Sequence, residues 1–148
     1  MAYVLPDIGY CQGMNFIAGA LLEQLEDEEE AFWIMLSLII NKKMKKLLIP
    51  GVPSLHMRIY QMIQLMEKHV PELLAHFKSE EIGIDYFTTK WIMTIFTSFF
   101  SFESLPPVLD YFFLDGWKGI FKMAIAILKY LHFEFISMDL LAFARFFR

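Results

Sequence analysis

Apolar residues recur along this chain at spacings of three and four, and no strong two-residue alternation interrupts them. That period is helical, because 3.6 residues per turn brings positions i, i+3, i+4 and i+7 onto one face. Met14, Ile17, Ala18, Leu21, Leu22 and Leu25 form one such face, beginning directly after Gly13. Leu55, Ile59, Met62, Ile63, Met66 and Val70 form another, with Arg58, Gln61, Gln64, Glu67 and Lys68 opposite. Phe121, Ala124, Leu128 and Leu131 form a third. Residues 31–41 are apolar on all sides, the pattern of a helix enclosed by others, and residues 87–100 read as a second buried helix around Trp91, Ile92, Ile95, Phe96 and Phe99.

Punctuation between these stretches is of the helical kind. The acidic run of residues 26–30 ends one helix and opens the next, where negative charge suits an N-terminus. Lys42, Lys43, Lys45 and Lys46 followed by Pro50, Gly51 and Pro53 read as a helix stop and loop, with Ser54 as the next N-cap. Pro71, Gly83, Pro106-Pro107, Gly116 and Gly119 mark further breaks, and residues 139–147 suggest a last helix. The expectation is an all-α, irregular array of about seven to nine helices in one domain.

Composition narrows the function. The hydrophobic share is 57%, high for a soluble domain, which excludes a disordered chain. The longest uncharged runs are too short for a spanning helix of about 20 residues. The net charge is −4, without the basic footprint of a nucleic-acid binder. Cys11 is the sole cysteine, so no internal disulfide forms and the local Cys-His signature of a thiol nucleophile is missing. His56, His69, His76 and His132 lack metal-ligand spacing and read as surface or capping residues. No Gly-rich phosphate loop ends in Gly-Lys-Ser/Thr.

One stretch stands apart: residues 6–16, in which Gly9 and Gly13 bracket Gln12 just ahead of an amphipathic helix. Glycine permits positive φ and close backbone approach. A helix N-terminus presents free N–H groups and partial positive charge. A glutamine amide both donates and accepts hydrogen bonds, so a rigidly held Gln12 could orient a water without titrating. A polar residue in a helix-capping turn is the plainer reading of the same residues.

Gly9-Tyr10-Cys11-Gln12-Gly13-Met14-Asn15 resembles the glutamine-finger motif of TBC domains, the GTPase-activating domains for Rab small GTPases. Pro6, Ile8, Gly9, Tyr10, Gln12, Gly13 and Met14 match the pattern Pro-x-Ile/Val-Gly-Tyr-x-Gln-Gly-Met. Five later blocks resemble the family in order: residues 29–33, 71–77, 91–96, 110–118 and 121–128. Residue 109 is Leu where the family usually has Trp.

The resemblance implies a TBC-like helical fold and a Rab GTPase partner on vesicle-trafficking membranes. The chain itself would be cytoplasmic, reaching a membrane through that partner. It implies Gln12 as the residue that positions the hydrolytic water, with Gly9, Tyr10 and Gly13 fixing its backbone and Asn15 capping the next helix. GTP and Mg²⁺ would belong to the partner, so no cofactor is expected here. The family's arginine finger comes from an IxxDxxR segment upstream of the glutamine, and none of the 148 residues supplies it. Arg58, Arg145 and Arg148 are the only arginines, and residues 136–142 begin a look-alike that ends in Ala142. Residues 1–148 therefore read as a partial TBC domain without its N-terminal helices, weak or inactive alone. Apolar faces left by such a truncation would favour association with another chain. A non-catalytic helical module that binds a small GTPase or another protein is the alternative.

Overall fold

The computed structural model describes residues 3–147. Among them are ten α-helices and one 3-10 turn, Phe102–Ser104, and no strand. The helices are α1 Met14–Leu25, α2 Glu28–Asn41, α3 Lys45–Leu48, α4 Pro53–His69, α5 Pro71–Ser79, α6 Ile84–Thr94, α7 Leu105–Asp115, α8 Trp117–Tyr130, α9 His132–Ile136 and α10 Leu140–Phe146. This exceeds the seven to nine expected because α3 and α9 are too short to show a period. None of the described helices is long and apolar enough to cross a membrane.

α4 is the hub: it packs on α3, α5, α6 and α8. α1 lies between α2 and α6, while α7 pairs with α8. An aromatic cluster joins α5, α6, α9 and α10. Phe77 and Phe143 stand 4.9 Å apart between ring centroids, Phe87 and Trp91 4.9 Å, and Phe135 and Phe143 5.2 Å. Edge-on pairs of this kind add about 0.5–1.5 kcal/mol beyond their buried area.

Four local expectations are corrected. α2 is not enclosed: Ala31, Met35, Leu38 and Ile39 are buried, but Trp33 and Ile40 are exposed, because the helix packs chiefly on α1 alone. Ser54 is not the cap of α4. Val52, at φ 40°, holds that position, and Pro53 takes the first helical place, where its missing N–H is no loss.

Arg58 does not face outward. It is 8% exposed, with its guanidinium carbon 3.6 Å from the centroid of the Trp117 ring. A planar, weakly hydrated guanidinium stacks on indole as an ammonium does not. Finally, the helix expected to reach residue 100 stops at Thr94. Ile95 and Phe96 turn left-handed, at φ 52° and 62°, and both are fully buried. The strain costs about 1–2 kcal/mol per residue. Burying each side chain returns about 1.5–3 kcal/mol.

Candidate functional site

The segment before α1 is held at both ends and free in the middle. Ile8 is buried on one side and Met14 on the other. Between them, Tyr10 and Gln12 are exposed, and Gly9 and Cys11 are half-buried. The Leu5 carbonyl accepts from the amides of Ile8 at 3.0 Å and Gly9 at 3.2 Å, which closes a tight turn. The Cys11 amide reaches the Met14 Sδ at 3.3 Å, and the Met14 amide reaches the Cys11 carbonyl at 3.2 Å. Lys45 on α3 pairs with Asp7 at 3.2 Å and ties the loop to the neighbouring helix.

Gly13 is the structural reason for a glycine here. Its φ is 106°, and a Cβ would lie 3.3 Å from the Met93 carbonyl oxygen and 3.4 Å from the Thr94 Cγ2. The loop therefore rests on the last turn of α6. Gly9 also has positive φ, at 62°, but with open space around it. Gly13 serves as the N-cap of α1 without a side-chain cap bond. Asn15 does not cap, contrary to expectation. It sits inside the first turn, and its Oδ1 accepts from the Tyr10 hydroxyl at 3.4 Å.

Gln12 lines an open groove of about 560 Å³. Its wall includes Cys11 and Phe16 from the first segment, and Thr89, Lys90, Thr94 and Ser98 from α6 and the turn after it. Lys90 donates to the Phe147 carbonyl at 2.9 Å. Thr94 Oγ1 bonds the Lys90 carbonyl at 2.7 Å and the Ser98 hydroxyl at 2.9 Å. Burial raises the Cys11 thiol above its ordinary pKa, so it stays protonated near neutral pH. The polar wall from α6 carries no signal in the sequence, since these residues lie some 80 positions from Gln12 and only folding joins them.

The other candidates lie apart from this groove. Arg58 lines a different one, Arg145 is exposed on α10, and Arg148 lies outside the described residues. His76 Nε2 lies 2.9 Å from the Met138 carbonyl oxygen, and His132 Nε2 is 3.7 Å from a Glu72 carboxylate oxygen. No group of three metal-capable side chains occurs among the described residues.

Gln12 is thus an exposed glutamine on a braced loop directly ahead of α1, in an all-α array. The chain belongs to the Rab-GTPase-TBC domain family, whose profile matches residues 1–136. It is 33% identical over 141 residues to the human ecotropic viral integration site 5 protein homolog, covering 94% of this chain and 17% of that protein. Identity to the GTPase-activating protein GYP5 of Saccharomyces cerevisiae is 36% over 120 residues, covering 81% of this chain and 13% of that protein. Human TBC1 domain family member 1 is 36% identical over 129 residues, 86% of this chain and 11% of its own length. The chain thus spans less than a fifth of each of these relatives.

Proposed function

We propose that this chain is part of a GTPase-activating domain for a Rab-type small GTPase, in which Gln12 enters the partner's site and positions the hydrolytic water. The observation that carries the reading is the exposure of Gln12 on a loop fixed by Ile8, Gly13 and Met14 beside an open groove. Phosphoryl transfer is catalysed mainly by positioning and electrostatics, so a neutral amide held in place does useful work without titrating. Gly9, Tyr10 and Gly13 set the loop, and Asn15 steadies Tyr10 through its hydroxyl. The uncapped N-terminus of α1 adds positive potential beside the glutamine. GTP and Mg²⁺ arrive with the partner, and any membrane contact comes through it.

None of the three arginines in residues 1–148 lies upstream of Gln12. An arginine finger is worth about 10³–10⁵ in rate, or roughly 4–7 kcal/mol. In this reading residues 1–148 are the glutamine-bearing part of the domain and activate weakly or not at all when alone. Single-turnover GTP hydrolysis across a Rab panel tests it. The 148-residue chain should leave hydrolysis near its intrinsic rate, and a version carrying an upstream IxxDxxR segment should accelerate it on at least one Rab. No acceleration by either form would overturn the catalytic reading. The second reading, a non-catalytic module that binds a small GTPase or another protein, is favoured by one fact: neither Arg58 nor Arg145 reaches the Gln12 groove.

A further inference from the structure

The geometry points to a second site: Arg58, Lys43 and Lys46 form a pocket for the phosphate group of a phosphate ester. It is a groove of about 710 Å³ formed by α3, the first two turns of α4 and the turn before α3, with Ile49 and Met57 as apolar walls. The chain segment of residues 49–55 separates it from the Gln12 groove: Ile49 and Pro53 line one, Val52 and Leu55 the other.

Arg58 is the unusual member. It is more than nine-tenths buried, its Nε has no hydrogen-bond partner, and no carboxylate pairs with it among the described residues. A buried charge without a counter-charge is costly. Burial lowers its pKa to about 10, which still leaves it cationic at neutral pH. Stacking on Trp117 offsets part of the cost and fixes the guanidinium plane. That platform is itself held: Trp117 Nε1 donates to the Lys42 carbonyl at 2.7 Å, and Lys42 Nζ donates to the Phe113 carbonyl.

The charge count selects the ligand. Lys45 is already paired with Asp7, whereas Lys43 and Lys46 are exposed and pair with no carboxylate among the described residues. Three uncompensated cations exceed what one carboxylate neutralises and suit a phosphate monoester, which carries about −1.5 to −2 at neutral pH. A planar guanidinium offers two parallel donors to such an oxyanion. Because the arginine is largely shielded from water, part of its desolvation cost is already met before a ligand arrives. The groove is larger than one phosphate, and its apolar walls suit the organic body of an ester.

Titration of the 148-residue chain tests the site, with ³¹P NMR reading inorganic phosphate and co-sedimentation reading phosphatidylcholine vesicles with or without phosphatidylinositol 4-phosphate. The exposed pair Lys43→Gln/Lys46→Gln leaves the core untouched and should weaken binding by roughly tenfold. Lys118→Gln/Lys129→Gln on α8 should leave binding unchanged. Added salt should weaken it steadily. Phosphate binding in solution identifies a free phosphate ligand; binding only to the phosphoinositide vesicles identifies a lipid headgroup. Either result supports the pocket if the Lys43/Lys46 variant loses it. The proposal is overturned by no binding in either arm, by binding that the variant retains, or by acetate competing as well as phosphate at equal ionic strength.

Discussion

Gly13 and Gly9 have the same backbone preference but different surroundings, and this separates their roles. At Gly13 an added methyl would meet the Met93 carbonyl as well as the strain of φ 106°. Gly13→Ala should therefore cost about 2–4 kcal/mol, combining left-handed strain with a forced shift of the loop off α6. Gly9→Ala, with open space around it, should cost only about 1 kcal/mol. Urea denaturation of the two variants measures the gap, and equal costs would contradict the close approach of the loop to α6. Lys122 and Asp115 offer a second test at this scale. Their hydrogen bond, 2.6 Å long, is the main cause that lowers the Asp115 pKa and raises that of Lys122. A depressed carboxylate stabilises above its unfolded pKa and loses that contribution as pH falls through its folded one. A raised lysine stabilises below its ordinary pKa and loses that contribution as pH rises through its folded one. The Tm gap between wild type and Asp115→Asn should be present at neutral pH and close below the carboxylate range; a gap constant from neutral to acid pH would contradict this.

At the scale of elements, long helices were legible and short or bent ones were not. α1 begins at Met14, directly after Gly13 as its apolar face requires, and α8 and α10 lie within a few residues of where their patterns place them. α10 also gains a cap, as the Asp139 carboxylate accepts from the Ala142 amide at 2.7 Å. The end of α6 was hidden because nothing in Ile95-Phe96 announces a left-handed turn; burial of both side chains imposes it. Arg58 was misplaced for a related reason. A helical wheel assigns charge to the solvent face and cannot register an indole ring 59 positions later. The aromatic cluster shows how much the last helix matters. Phe143, fully buried, meets Phe77, Phe87, Phe135 and Phe147 at 4.9 to 5.7 Å. Phe143→Ala should cost about 3–5 kcal/mol in thermal or denaturant unfolding. A cost below 1 kcal/mol would mean that α10 is not docked on α5 and α6.

For the molecule as a whole, the loop that presents Gln12 could be read from the sequence, but the groove beside it could not. Two glycines around one glutamine form a local pattern, whereas Thr89, Lys90, Thr94 and Ser98 join it only through the packing of α1 on α6. The apolar content has a counterpart in the exposed side chains of Trp33, Leu114, Phe133 and Leu141. We propose that these side chains, exposed on four different helices, take part in association; sedimentation velocity should then show the apparent mass rising with concentration, and a constant monomer mass would contradict this. Gln12 carries the proposed mechanism, and its removal is the decisive comparison. In a version that carries the upstream arginine segment, Gln12→Ala should slow single-turnover Rab GTP hydrolysis by about 10²-fold or more while leaving Rab binding intact. Hydrolysis undiminished by Gln12→Ala would remove Gln12 from the mechanism.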